Sequence, residues 1–182
     1  MKIFGLAGWS GSGKTTLVAQ LLPVLIARGI TVSTMKHAHH AFDVDKPGKD
    51  SYVHREAGAT EVLVTSARRW ALMHENRNAP EPTMDELIRH MSPVDLLLVE
   101  GFKAHPHDKL EIHRPSVGKP LLAAEDPYIV AIATDDPDGI PEKIRAARHL
   151  LDLNDVPGIT GFIVDHCRLT GAGTRTVSHG AA

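Results

Sequence analysis

The chain has 182 residues, enough for one α/β domain with a full hydrophobic core, and nothing in that length demands a second. Lysine and arginine number 20 against 22 aspartates and glutamates, a formal charge of −2, which excludes a global basic field for nucleic acid or an anionic membrane. Cys167 is the single cysteine, so no internal disulfide forms, and no apolar run approaches the ~20 residues of a membrane span; the expectation is a soluble, cytoplasmic protein.

Lys2 to Ala7 (KIFGLA) reads as a first strand, and Gly8 to Thr16 (GWSGSGKTT) follows it directly. That segment satisfies G-x-x-x-x-G-K-[ST] at Gly8, Gly13, Lys14 and Thr15, the P-loop pattern. Its glycines let successive backbone N–H groups turn inward around a phosphate. Lys14 adds a point charge for the β/γ-phosphates, Thr15 offers a hydroxyl to Mg²⁺, and the helix starting here points its positive end at the same anion. This helix, Thr15 to Arg28, carries Leu17, Leu21, Val24 and Leu25 at helical spacing and stops at Gly29, with Pro23 inside it costing a hydrogen bond or a kink.

Ile30 to Met35 reads as the second strand and Tyr52 to Gly58 as a short helix. Glu61 to Thr65 and Arg69 to His74 read as the next strands, joined through Ser66 to Arg68. Thr83 and Glu86 make a capping box ahead of Met84, Leu87, Ile88 and Met91 at i, i+3, i+4 and i+7. Asp95 to Val99 is a continuous apolar run, the pattern of a strand buried on both faces, and it ends in Glu100. Leu110 to His113 and Ile129 to Ala133 are further strands. Pro141 opens a helix through Ile144, Ala147 and Leu150, Leu151 to Leu153 forms a short last strand, and Asp155 caps a final helix through Ile159, Phe162 and Ile163. From Arg168 the chain is small and polar, so 1–167 is read as the folded domain and 168–182 as a mobile tail.

Strands alternating with helices give the fold class: α/β, a single P-loop NTPase domain with an open, mostly parallel sheet and helices on both faces. Ligands of such sheets bind beyond the carboxyl ends of the strands. That rule gathers the P-loop, the segment Lys36 to Ser51, Glu100 and Asp135 on one rim. Glu100 is the Walker B carboxylate, holding Mg²⁺ through a water or polarising an attacking water. Asp95 sits at the wrong end of its strand for this and reads as a turn residue.

The segment Lys36 to Ser51 (KHAHHAFDVDKPGKDS) carries His37, His39, His40, Asp43, Asp45 and Asp50. It lacks the paired spacings of a zinc site, and two readings stay open: a transition-metal site, and a switch-like loop over the terminal phosphates that lends Asp50 to Mg²⁺. Asp50 as a plain helix cap is a third. Lys103 and Arg114 are cations that can compensate phosphate charge. No N-K-x-D motif for guanine is present; Thr134-Asp135-Asp136 stands in the corresponding place, either as a base-recognising carboxylate or as loop chemistry before Pro137.

Together, GWSGSGKTTL, the stretch from Lys36 to Ala59, VLVTS at Val62 to Ser66 and VEGFK at Val99 to Lys103 resemble the molybdopterin-guanine dinucleotide biosynthesis protein B family. The resemblance covers most of residues 1–167. It implies a P-loop fold of the SIMIBI class, GTP and Mg²⁺ as cofactors with slow GTP hydrolysis, a homodimer, and an accessory role beside a molybdopterin guanylyltransferase; whether the molybdopterin is also a direct ligand stays open, and an interaction module that binds the partner enzyme and the pterin anion on the basic loop is a separate reading. Carried onto this chain by matching motif, it implies Gly11, Ser12, Gly13, Lys14, Thr15 and Thr16 at the phosphates and Mg²⁺ and Glu100 as the Walker B carboxylate; the reading of the residues adds Lys36, His37, Thr134 and Asp135 as candidates at the nucleotide and Asp50 beside Thr15 and Glu100 as a candidate at the cation. Lys14 and Glu100 are then the catalytic residues, and His39, His40, Asp43, Asp45, His54 and Arg55 fall in the signature loop without assigned roles. Some members of the class carry a second lysine early in the P-loop that reaches across a dimer; here that position is Trp9, which excludes any mechanism using a lysine there and leaves Trp9 to pack at a dimer contact or against the bound nucleotide. A P-loop small-molecule kinase, with a lid drawn from Arg68, Arg69 or Arg77, is the alternative reading.

Overall fold

The computed structural model describes residues 1–38, 42–103 and 105–171. In chain order its elements are β1 (Lys2–Ala7), α1 (Lys14–Ala27), β2 (Val32–Lys36), α2 (Asp50–Glu56), β3 (Glu61–Thr65), β4 (Trp70–His74), α3 (Met84–Ile88), β5 (Leu96–Glu100), β6 (Lys109–His113), β7 (Ile129–Thr134), α4 (Glu142–Arg145), β8 (His149–Asp152) and α5 (Val156–His166), with single 3-10 turns at Pro115–Val117 and Leu122–Ala124. Contacts divide the chain into two units, one formed by Met1–His37 with the chain from Ser92 onward and the other by Ala38–Met91.

In the first unit, six strands pair in parallel in the order β2-β5-β1-β6-β7-β8, the α/β architecture expected. Leu17, Leu21 and Leu25 of α1 and Ile159 and Ile163 of α5 bury one face against Phe4, Leu6, Leu98, Leu110 and Ile112. Each such side chain stabilises the fold by about 1.5–3 kcal/mol on burial. The other face is covered beside β7 by Ala123, Ile140 and Ile144, which pack with Ile129 and Ile132. Leu96, Leu97 and Val99 are wholly buried, as a strand covered on both sides requires. At its amino end Asp95 accepts from the backbone N–H and hydroxyl of Thr31, at 2.8 and 2.6 Å, which stitches the entries of β5 and β2 together.

Helix ends follow their capping chemistry. After α1, Gly29 takes a left-handed φ of 74° while Gly29 and Ile30 donate back to Ile26 and Leu25. Arg168 does the same after α5, and Leu169 donates to Val164 and packs on the core, so ordered packing continues past Cys167. The Thr83–Glu86 capping box and the Asp155 cap are both present.

Three expectations change. β3 and β4 are not members of the parallel sheet; they pair antiparallel with each other inside the second unit. A parallel crossover needs a dozen or more residues, and the short Ser66–Arg69 connection permits only a hairpin. α3 stops at Ile88 rather than continuing through Met91; Arg89, His90 and Met91 donate three residues back, to Glu86, Leu87 and Ile88, in a tightened final turn. α4 ends at Arg145 because Leu150, expected on that helix, is drawn into β8 to pair with Ile132 of β7.

Polar side chains also enter the second face of the sheet. Glu111 is wholly buried and accepts from the N–H groups of Leu122 and Ala123, both at 2.8 Å; burial pushes its pKa up while these two hydrogen bonds oppose the rise. Lys109 donates to the His105 carbonyl at 3.1 Å and to Asp126 at 3.2 Å. His107 packs where a side chain on Gly5 would stand, its Nε2 2.5 Å from the position of a Cβ there. Burial, helped by the Lys109 charge, lowers the His107 pKa to about 4. In the unfolded chain the same imidazole takes its proton near pH ~6.5. Between those values the unfolded state binds the extra proton, so the stability His107 contributes is complete above pH ~6.5 and is lost as the pH falls toward 4. Thermal melts at pH 7, 5.5 and 4 should therefore decline less steeply for His107→Gln than for the natural chain; equal slopes would remove His107 as the cause.

Candidate functional site

The register of the sheet builds the site. Leu6 of β1 lies beside Glu100 of β5, and Lys36 of β2 lies on the other side of Glu100. The loop leaving β1 therefore opens directly next to the only carboxylate at the end of β5. Gly11 and Gly13 hold left-handed φ values of 84° and 100°, which bend the loop into the start of α1. Ser12 donates its backbone N–H to Trp9 at 3.1 Å, and its buried hydroxyl has no hydrogen-bond partner among the described residues. Thr15 and Thr16 stand exposed in the first turn of α1.

Lys14 turns its ammonium back over this loop, 2.8 Å from the Gly8 carbonyl and 2.9 Å from that of Trp9. Desolvation lowers its pKa; Glu100 acts against that, and Lys36 and Lys103 add to it. Lys36 and Glu100 form an ion pair at 3.6 Å, with Glu100 mostly shielded and Lys36 exposed. His37 donates its backbone N–H to the Glu100 carbonyl at 2.8 Å and sets its ring against Phe102 at 4.9 Å. Gly101, at φ 95°, leaves no room for a side chain, because a Cβ there would stand 2.6 Å from His37 Cβ. Lys14, Lys36, His37 and Glu100 thus converge as the sequence expected.

On the other side of the P-loop, Arg114 follows β6 and Asp135 follows β7, and the pairing of His113 with Thr134 places them side by side. Arg114 ion-pairs with Asp135 and donates Nε to the Ser12 carbonyl at 3.3 Å. Asp135 is thereby tied to the phosphate loop through one guanidinium. Thr134 is buried and its hydroxyl accepts from Asp136 N–H at 3.1 Å, so its side chain shapes the turn that presents Asp135. The left-handed glycines, the exposed Thr15 and Thr16, the lysine and the carboxylate are the groups that would hold a nucleoside polyphosphate with Mg²⁺: Gly11–Thr16 for phosphate oxygens, Thr15 and Glu100 for the cation.

The second unit holds the rest of the signature segment. His39 and His40 lie outside the described residues. Asp50 opens α2, where a carboxylate meets the positive end of the helix. Asp43 and Asp45 are engaged inside the unit by Arg55, which also reaches Glu56 and Glu75 and lies over the Tyr52 ring. The hydrogen bond to Asp45 is the leading cause that raises the Arg55 pKa. Arg77, at φ 47°, donates to the carbonyls of Arg55 and Ala59 and locks the exit of α2. Among the described residues no group of three or more His, Cys, Asp or Glu side chains is arranged to hold a metal ion.

Residues 3–135 match the family model of molybdopterin guanine dinucleotide synthesis protein B, MobB, a span that runs from the first strand to Asp135. The chain belongs to the MobB family. It is 44% identical over 166 residues to the molybdopterin-guanine dinucleotide biosynthesis adapter protein of Escherichia coli K12, covering 90% of this chain and 91% of that one. The adapter protein of Haemophilus influenzae is also 44% identical, over 164 residues that cover 88% of this chain and 86% of that one. The crystal structure of Bacillus subtilis MobB superposes with a TM-score of 0.69 at 25% identity, covering 94% of this chain and 99% of that one. Sequence reasoning passed over Lys119 and Pro120, which stand beside Trp9 of the P-loop. Neither belongs to a motif, and both reach the P-loop only because Trp9 Nε1 donates to the Pro120 carbonyl at 2.8 Å. The Arg55 hub was also unread, since charge alternation within a loop does not show which carboxylates share one guanidinium.

Arg55 gives the site a direct test in its own unit. Arg55→Lys keeps the charge and loses the forked geometry that joins Asp43 to Asp45. Amide exchange over residues 43–59 should accelerate in this variant while β1 and β5 keep their protection; unchanged exchange over 43–59 would show that the hub is dispensable.

Proposed function

We propose that this chain is a GTP-binding adapter with slow, Mg²⁺-dependent GTPase activity, serving a molybdopterin guanylyltransferase in the assembly of molybdopterin guanine dinucleotide. The observation that carries the nucleotide part is the convergence of Lys14, the P-loop and the Lys36–Glu100 pair at the carboxyl end of β1. The pathway rests on the two adapter proteins that share 44% of their residues with this chain. In this reading Gly11, Ser12, Gly13 and Lys14 hold the phosphates, Thr15 and Glu100 serve the cation, and Lys36 and His37 line the terminal-phosphate side. Asp135 is the base-recognising carboxylate: with four lone-pair directions it accepts from Arg114 and keeps capacity for guanine N1–H and N2–H.

The bound Mg²⁺ would neutralise charge on the β- and γ-oxygens. Glu100 would orient the attacking water, and Lys14 would stay protonated between phosphate and loop carbonyls. A homodimer fits as well. In the β3–β4 hairpin Leu63 pairs with Leu72 and Thr65 with Trp70, which leaves Leu63, Leu72 and Trp70 exposed on one face. The kinase alternative loses one of its lid residues, because Arg77 is committed to backbone carbonyls.

Calorimetric titration with Mg²⁺ tests the nucleotide claim. GTP should bind more tightly than ATP, Lys14→Ala should abolish binding of both, and Glu100→Gln should retain binding while phosphate release falls by about 10²-fold or more. Equal affinity for GTP and ATP would sink the guanine assignment. Capture of the guanylyltransferase by the natural chain and by Lys14→Ala, with and without GTP, separates a nucleotide-controlled adapter from a scaffold.

A further inference from the structure

Trp9 is the second residue of the P-loop, and the Lys14 ammonium lies 2.9 Å from its carbonyl oxygen. Since the lysine of this motif takes the β- and γ-oxygens, Trp9 stands at the terminal-phosphate end of the site. Its indole is fixed by the bond to Pro120, on the segment that Glu111 anchors through Leu122 and Ala123. Two ammonium groups gather at this ring. Lys103 Nζ lies 5.4 Å from the ring centroid and Lys119 Nζ 5.8 Å from it.

The two lysines arrive from different places, one just after β5 and the other after the 3-10 turn that follows β6. Both are exposed, and neither has a carboxylate partner among the described residues. An aromatic face attracts a cation modestly, by about 0.5–1 kcal/mol at exposed sites. Two like charges collected at one ring repel each other, and an anion placed near both removes that repulsion. Lys103 is already felt at the phosphate site, where its charge is one of the causes that lower the Lys14 pKa.

We propose that Trp9 is a positioning residue that holds Lys103 and Lys119 as a cationic clamp for the terminal phosphate of a nucleoside triphosphate in the P-loop. This rests on the nucleotide reading given above and goes beyond it by assigning the discrimination of triphosphate from diphosphate to three residues outside the P-loop's fixed positions. The indole carries no charge itself and gathers two ammonium groups from outside the loop, in addition to Lys14 within it.

The chain contains two tryptophans, so Trp70→Phe leaves Trp9 as its only indole. In that background, with Mg²⁺, GTP should shift Trp9 emission more than GDP does. Lys103→Met and Lys119→Met should each weaken GTP by about tenfold while GDP affinity stays within about twofold, the size expected for one charge-assisted contact. Trp9→Ala, placed in the natural chain and read by calorimetry, should reproduce the same selective loss; the exposed lysine variants keep the test decisive if Trp9→Ala does not fold. A triphosphate-to-diphosphate ratio unchanged in both lysine variants, with normal binding by the natural chain, overturns the clamp alone. Failure of the natural chain to bind either nucleotide overturns the nucleotide reading and the clamp together.

Discussion

A P-loop must start from a strand that is held in place, and β1 is paired on both sides. Leu6 sits between Glu100 of β5 and Leu110 of β6, with no more than a trace of exposed surface. The buried leucines of α1 and the aliphatic run of β5 exist, in this sense, to fix one end of the P-loop. Everything at the rim inherits its position from that register: Glu100 because it neighbours Leu6, Lys36 because it neighbours Glu100, and Arg114 because it follows the strand paired to the other edge of β1.

Electrostatically the rim is an unbalanced arrangement. Lys14, Lys36, Lys103, Lys119 and Arg114 surround the P-loop, with Glu100 and Asp135 as the carboxylates paired to two of them. The chain as a whole is close to neutral, at −2, so this local excess is a property of folding and not of composition. A polyphosphate would bring the opposite charge to such a site and favour the charged form of Lys14, against the desolvation and the Lys36 and Lys103 charges that lower its pKa.

Legibility in the sequence tracked the range of the interaction. The P-loop, the Thr83–Glu86 box, the Asp155 cap and the β5 run are local patterns, each decided by neighbours within a few residues, and all are present. What the sequence hid was non-local. Leu150 reads as the end of a helix until β7 offers it a partner, the turn that the Thr134 hydroxyl closes shows only in the structure, and so does the Pro120 carbonyl that takes the Trp9 indole N–H. The hairpin was legible and misread, since the length of the Ser66–Arg69 connection already forbade a parallel crossover.

The insertion between β2 and β5 has a kinetic meaning. These strands are neighbours in the sheet, yet roughly sixty residues separate the end of one from the start of the other, so bringing them together closes a long loop whose entropic cost grows with the logarithm of its length. Local structure in that loop, the capped α3, the β3–β4 hairpin and the Arg55 hub, can form without waiting for the sheet. Once it does, the effective tether between β2 and β5 shortens. Because β5 is the strand that carries Glu100 to its place between Leu6 and Lys36, that juxtaposition waits on the closure of this long loop.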